Sequence, residues 1–379
     1  MKRLKTLLLI FGAVLWITGC SQVNEDVEIS DEAVYISPSA SAVTSNYPLS
    51  LLDENEQALY DKLLEAVNNY EETVILDGAD DFTAKKLFKL MYTQENRIFW
   101  VDSRYIYDDA DFTMDLIYRY DSVKSEEMRA VLDLEAAKIL AEIPDGASDY
   151  EKIKSLHDQI ILRCSFSKAG DYVNTAYGVI VDGYAQCEGY AFAMSYLCSI
   201  AGVENYVVTG TSAEGDSHAW NKVMADGEWY NVDCTWDDPI LNRESKEYIR
   251  HDYMFLSDSE INGISHFPDV THFEPIPCTA AKKNYFIREG LYCSKSTEAQ
   301  LLISDEIKKA AAEGRCDVEI RLSNEDAYNE TVEMLFSKGG LKAVIETLNG
   351  NTGAGISSAI KSVNDDLYTI HISLIYKEE

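Results

Sequence analysis

Three residues of this sequence have the types and settings that nucleophilic acyl chemistry requires: Cys187, His218 and Asp233. In such chemistry a thiolate attacks a carbonyl, an imidazole moves the proton, a carboxylate orients the imidazole, and N–H donors hold the tetrahedral oxyanion. Cys187 follows the turn Val181-Asp182-Gly183 and opens the run Cys187-Glu188-Gly189-Tyr190-Ala191. Apolar residues at Tyr190, Ala191, Met194, Leu197, Cys198 and Ala201 give this run a helical period that ends at Gly202. The thiol therefore falls in the first turn of a helix, where unpaired N–H groups and the dipole stabilise a thiolate. Glu188 opposes that effect unless its side chain points to solvent.

His218 and Asp233 lie in two strand-like runs, Ser217-His218-Ala219-Trp220-Asn221-Lys222-Val223 and Trp229-Tyr230-Asn231-Val232-Asp233, joined through Asp226-Gly227. Asp-Gly between such runs predicts a two-residue type I′ hairpin loop. In that register Trp220 faces Asp233, His218 faces Thr235, and His218 is diagonal to Asp233 on one sheet face. A three-residue loop would send Asp233 to the opposite face, so the base and its orienting acid depend on the loop length.

The motifs Gln186-Cys187-Glu188-Gly189-Tyr190-Ala191, His218-Ala219-Trp220-Asn221 and Asn231-Val232-Asp233-Cys234-Thr235-Trp236-Asp237, in this order, resemble the core of the transglutaminase-like superfamily. More narrowly they resemble its bacterial transglutaminase/protease-like lipoproteins, well over residues 148–260 and loosely beyond. The resemblance implies an α+β, papain-like core in which a Cys-bearing helix packs on an antiparallel sheet that supplies His and Asp. It places a triad on Cys187, His218 and Asp233. The sequence departs from the family at Cys234, where proline is common, and leaves the oxyanion side-chain donor open between Gln186 and Tyr184. The backbone N–H of Cys187 is the firmer oxyanion donor, because it lies at the helix end. Trp220, Trp236 and Tyr190 are expected to wall the cleft, with filling of the core behind it as the alternative for the two tryptophans.

The chain that positions these residues has 379 of them, 46% hydrophobic. Helices are expected over 52–69, 82–92 and 125–143, with strands over 97–107 and 112–120. Ser148 and Glu151 form a capping box before a helix with the stripe Tyr150, Ile153, Leu156, Ile160 and Ile161; His157 beside it is assigned no chemistry. Beyond residue 280 the pattern reads as a strand pair over 285–293, a helix over 297–313, a strand over 317–322, helices to 348 and a strand over 367–376. The domains are then 1–19 signal peptide, 20–45 lipidated cysteine and linker, 46–145 N-terminal α+β domain, 146–278 catalytic domain and 279–379 C-terminal α+β domain.

The leader has a basic start, an apolar stretch over 7–16 too short to span a bilayer, and Ile17-Thr18-Gly19-Cys20. These last four residues resemble the lipobox of bacterial lipoproteins, which implies lipidation of Cys20 and a protein held at the extracellular face of a bacterial membrane. The net charge of −32 repels phosphate backbones and excludes nucleic acid as a partner. Cys164, Cys198, Cys234, Cys278, Cys293 and Cys316 form no C-x-x-C pair, so no zinc ribbon, metal or other cofactor is expected, and reading Cys187, His218 and Asp233 as metal ligands finds no close ligand pairs to support it. The expected substrate is a protein or peptide, including cell-wall peptide. The expected activity is cysteine-dependent hydrolysis of peptide or isopeptide amide bonds ahead of cross-linking; the rival is an inactive cell-surface scaffold on the same fold.

Overall fold

The computed structural model describes residues 47–239 and 248–377. The expected leader and Cys20 lie outside the described residues. The chain opens with α1 (Glu54–Asn68), β1 (Thr73–Ile75), α2 (Asp81–Gln94), β2 (Val101–Asp108), β3 (Thr113–Tyr118) and α3 (Ser122–Ala141). Side-chain oxygens of Asp53, Asp80 and Asp121 accept from the first-turn N–H groups of α1, α2 and α3, satisfying donors that a helix start leaves unpaired. The three strands form a small antiparallel sheet in the order β1-β3-β2.

The central part contains α4 (Asp149–Arg163), β4 (Ser165–Phe166), β5 (Tyr184–Ala185), α5 (Cys187–Ile200), β6 (Asn205–Ser212), β7 (Ser217–Ala225), β8 (Glu228–Val232), α6 (Cys234–Asp237), β9 (Met254–Leu256), α7 (Asp258–Ile261) and β10 (His266–Pro268). The Ser148–Glu151 capping box is present at α4. Strands β10-β6-β7-β8-β9 form a five-stranded antiparallel sheet. The β7–β8 hairpin has the two-residue loop expected: Ala225 pairs with Glu228, and Asp226 and Gly227 take φ of 53° and 82°. Two consecutive left-handed residues are what the type I′ turn demands, and Asp-Gly supplies them at low steric cost. Helix α5 lies on this sheet and is hydrophobic on every side, as a helix packed between layers must be.

The last part contains α8 (Tyr285–Arg288), β11 (Tyr292–Cys293), α9 (Ser296–Glu313), β12 (Asp317–Leu322), α10 (Glu325–Val332), α11 (Gly340–Thr352), β13 (Ile356–Asn364) and β14 (Thr369–Tyr376). Its sheet runs β11-β12-β14-β13. The strand pair expected over 285–293 is corrected: adjacent Tyr285 and Phe286 are both buried in a helical turn, and only Tyr292–Cys293 pairs, parallel to β12. Strand β13, not anticipated, is a largely exposed edge with no apolar alternation. One hydrophobic core runs from Leu59 to Leu291, and a second, from Cys293 to Leu374, fills the space between α9, α10, α11 and their sheet.

The two cores are joined by a buried chain of alternating imidazoles and carboxylates. His157 Nε2 meets Asp237 at 3.0 Å and its Nδ1 meets Asp158 at 3.0 Å. His251 bridges Asp158 at 2.9 Å and Glu319 of β12 at 2.6 Å, with Tyr285 stacked on its ring at 3.8 Å. His371 of β14 lies 3.5 Å from Glu319 and 2.7 Å from Asp252. Burial works to lower the pKa of His251, but Glu319 and Asp158 override it and raise the value to about 10. Burial works to raise Asp158, and the His251 charge with the His157 hydrogen bond holds it well below the usual carboxylate range.

A histidine raised from about 6.5 contributes stability in full below that pH, and loses it as pH climbs through the folded value. Thermal unfolding followed across pH 6 to 10 is therefore expected to show Tm falling toward about 10, the folded pKa of His251. Glu319→Gln is expected to lower Tm at pH 6 and to flatten the alkaline slope; a slope identical to that of the parent chain rules out the buried chain as its source.

Candidate active site

Cys187 is the first residue of α5, with extended Gln186 ahead of it, so the thiol sits where the helix has N–H groups without intrahelical partners. The helix is pressed against the segment before it at Gly189: a Cβ there would lie 2.5 Å from the Val173 carbonyl oxygen and 2.8 Å from Ala185 Cβ. Only glycine permits that approach, which accounts for Gly189 two residues after the thiol. On the sheet side, Asn221 Nδ2 donates to the Ala191 carbonyl at 2.9 Å and ties β7 to the first turns of α5. The Cys187 thiol in turn contacts the carbonyl of Ser217, 3.8 Å away and next in the chain to His218.

His218 is buried on β7 and its Nε2 donates to Asp233 Oδ2 at 2.6 Å. Its Nδ1 is thus the nitrogen available to the thiol. Burial acts to lower the His218 pKa, yet the Asp233 charge and hydrogen bond, reinforced by Cys187, raise it to about 10. The imidazole is therefore charged at neutral pH. Asp233 follows directly on β8 and caps α6, its Oδ1 accepting from the N–H groups of Thr235 at 2.9 Å and Trp236 at 3.3 Å. Burial tends to raise its pKa, but the His218 charge and the hydrogen bonds from His218 and His266 hold it well below the usual carboxylate range.

His266 is a functional-site residue that sequence reasoning missed. It sits fully buried on the edge strand β10, donates from Nε2 to the same Asp233 Oδ2 at 3.0 Å, and accepts at Nδ1 from the Ser265 hydroxyl at 2.8 Å. Its pKa is lowered, first by burial and then by the His218 charge, against the pull of Asp233. Its only local signal is a histidine beside a short apolar run, which carries no pairing information. The ligating atoms of His218, Asp233 and His266 lie within 4.8 Å of one another, as do those of His157, Asp158 and His251. Both trios have the residue types of a metal site, and in both, hydrogen bonds between ring nitrogen and carboxylate account for the clustering.

The aromatic residues divide. Trp236 is half-buried and covers His218 at 5.2 Å and His266 at 4.7 Å between ring centroids. Trp220 is buried beneath the two imidazoles, with Nε1 donating to Asn231 at 3.2 Å. Tyr190 is corrected from cleft wall to core: it is 0% exposed, and its hydroxyl donates to Asp238 at 2.5 Å. Of the oxyanion candidates, Gln186 stands beside the thiol at the head of α5, whereas Tyr184 is 58% exposed on β5. Cys234, in the position where proline is expected, is buried between the sheet and α5, and burial pushes its thiol well up. No disulfide joins the described cysteines. A groove of about 770 Å³ opens beside the site, lined by Glu188, Ser217 and His218 together with residues of α2, β2, β6 and β10.

The family model of the transglutaminase-like superfamily matches residues 137–234, which include Cys187, His218 and Asp233. The Kyphoscoliosis peptidases of mouse and human are each 31% identical over 101 residues, 23% of this chain. The chain spans about 15% of the length of these curated relatives. Among solved structures, a TGase is 17% identical with a TM-score of 0.27, covering 40% of this chain and 46% of its own. The periplasmic domain of TgpA from Pseudomonas aeruginosa bound to ethylmercury is 16% identical with a TM-score of 0.21, covering 34% and 61%.

The close packing at Gly189 gives a direct check on how α5 is placed. Gly189→Ala is expected to lower Tm and to slow alkylation of Cys187 by iodoacetamide, because the added methyl group must displace α5 from backbone atoms. Peptide mapping by mass spectrometry measures the second effect, and a variant that matches the parent in both readouts removes the constraint.

Proposed function

We propose that this chain, which carries a transglutaminase-like core, is a cysteine enzyme that hydrolyses peptide or isopeptide amide bonds by acyl transfer. The observation that carries this reading is the buried His218, fixed through Nε2 on Asp233 so that Nδ1 is left to the Cys187 thiol. The Cys187 thiolate attacks the amide carbonyl, and the oxyanion is met by the backbone N–H of Cys187 at the head of α5. The His218 imidazolium passes its proton to the leaving nitrogen, the C–N bond breaks, and a thioester remains. The neutral imidazole then takes a proton from water as the oxygen attacks the thioester, so the acid product leaves and the thiolate–imidazolium pair is restored. Asp233 keeps the imidazole oriented and charged, and His266 is a positioning residue that holds Asp233 from the far side.

Hydrolysis is favoured over cross-linking because the relatives matched in sequence are peptidases by name. The enzyme is read as a lipoprotein at the extracellular face of a bacterial membrane, on the strength of the basic start, the apolar stretch and Ile17-Thr18-Gly19-Cys20. Cell-wall peptides and surface proteins are then the amides within reach.

Hydrolysis of a peptide library by the purified chain, followed by mass spectrometry, is expected to disappear in Cys187→Ala. Asp233→Asn is expected to lower kcat on the order of a hundredfold. The alkaline limb of kcat/KM is expected near the His218 value of about 10 and to move to lower pH in Asp233→Asn, since the imidazolium loses its counter-charge. Turnover that persists in Cys187→Ala, or a parent chain inert toward every amide, sinks the enzyme reading and leaves the scaffold. For the anchor, metabolic labelling with a fatty acid is expected to mark the protein and to fail in Cys20→Ser; label retained in that variant refutes the lipoprotein.

A further inference from the structure

The groove beside the thiol has an uneven distribution of charge. Two lysines line it, and both are matched: Lys85 lies 2.5 Å from Asp81 and Lys89 lies 2.6 Å from Asp269. His272, also in the lining, has its pKa lowered by burial and by the neighbouring lysines, and is neutral. Glu188 is the exception. It follows Cys187 on α5, faces the groove, and among the described residues no cation lies within 4.0 Å of its carboxylate. Arg119 is the cation that acts on it, but that guanidinium is turned to Asp102 at 3.7 Å. Burial outweighs it and raises the Glu188 pKa, so the carboxylate sits desolvated with no ion pair of its own and only the shared Arg119 charge to offset it.

Tyr92 lines the same groove and lies within reach of the Glu188 charge. The Tyr92 hydroxyl is buried and has no hydrogen-bond partner. Both the Glu188 charge and the Arg119 guanidinium act on it, and its ring stacks at 6.2 Å on Phe88, which packs at 4.3 Å on Tyr105. An unsatisfied buried oxygen is costly unless a ligand supplies the missing bond. A carboxylate, an orphan hydroxyl oxygen and a row of aromatic rings together match one chemical group: a primary ammonium, which donates three hydrogen bonds and is attracted to aromatic faces.

We propose that the part of the groove beside Cys187 is a subsite for an aliphatic primary ammonium on the acyl-donor peptide, a lysine-type side chain held between Glu188 and Tyr92. The subsite rests on the acyl-transfer reading of Cys187, and it names the class of peptide that reaction takes: cationic segments, selected by an anionic protein of net charge −32. Tyr92 comes from α2, so the N-terminal part of the chain contributes directly to substrate choice. The ammonium stays protonated and takes no part in bond making.

Fluorogenic peptide amides that differ only in lysine, norleucine or glutamate at each position near the scissile bond test this. The parent chain is expected to prefer lysine over norleucine at one position, and Glu188→Gln to reduce that kcat/KM ratio about tenfold, the worth of a hydrogen bond to a charged group. Tyr92→Phe is expected to reduce it by less. A lysine-to-norleucine ratio equal in parent and Glu188→Gln overturns the subsite. So does a Glu188→Gln effect confined to added n-butylamine as acyl acceptor, because the ammonium then belongs to the attacking amine.

If no peptide is turned over, the acyl-transfer reading fails on its own. The subsite is then decided by calorimetry on Cys187→Ala. Binding of n-butylammonium that exceeds binding of butanol and is lost in Cys187→Ala/Glu188→Gln supports it; no difference between the two ligands overturns it.

Discussion

The site depends on one buried carboxylate having four donors. Ionising Asp233 away from water costs several kcal/mol, by a general figure of about that size per ion, unless its lone pairs are filled. Two backbone N–H groups fill Oδ1 and two imidazoles fill Oδ2. The same atoms that satisfy the charge also build the site. The N–H pair turns the chain from β8 into α6, which brings Trp236 over the imidazoles, while the two rings tie β7 and the edge strand β10 to that turn. A carboxamide at this position would offer an acceptor at one side-chain atom only, so either the two imidazole donors or the two backbone N–H donors would face an NH2 group instead of an oxygen.

Helix α6 is also where this cluster meets the chain of imidazoles and carboxylates that runs to the C-terminal sheet. Asp233 opens the helix and Asp237 closes it, both buried, and the backbone of Tyr253 serves both: its carbonyl accepts from Asp233 N at 3.1 Å, and its N–H donates to Asp237 at 2.9 Å. Burial raises the Asp237 pKa to about 6 against the hydrogen bond from His157. Two networks of alternating sign are thus joined by a four-residue helix and one extended residue. The C-terminal part, which contributes Glu319 and His371, is held to the central part by charges that must be desolvated together, and such contacts demand a definite geometry where apolar contacts would tolerate sliding.

The candidate trio was legible because each signal is local. Helical period places Cys187, and Asp-Gly fixes the register that brings His218 to Asp233. What was not legible depends on distant pairing. His266 lies on a three-residue strand defined chiefly by its pairing with β6, more than fifty residues earlier. Asn221 reads as an ordinary strand residue until α5 is packed above it. Tyr190 was misassigned because a helix buried on every face has no exposed stripe from which period could separate core from cleft. Glu319 and His371 are polar residues inside strands, and their burial makes sense only once His251 and Asp252 arrive from elsewhere in the chain.

Charge matching links these features. His218 is a single cation set between two anions, Asp233 and the thiolate of the reactive state, while His266, its pKa lowered, contributes a hydrogen bond to Asp233 without contributing charge. A second imidazolium there would neutralise Asp233 and weaken its hold on His218; a residue without a donor would leave one lone pair of a buried carboxylate empty. Neutral histidine, with Ser265 fixing the tautomer, avoids both penalties. The site as a whole is consequently left with an excess of negative charge whenever the thiolate is formed, and Glu188 adds to it from the next position on α5. The enclosed Arg119 offsets only part of this, since it is shared with Asp102. The field at the mouth of the groove therefore favours whatever brings positive charge to the thiol.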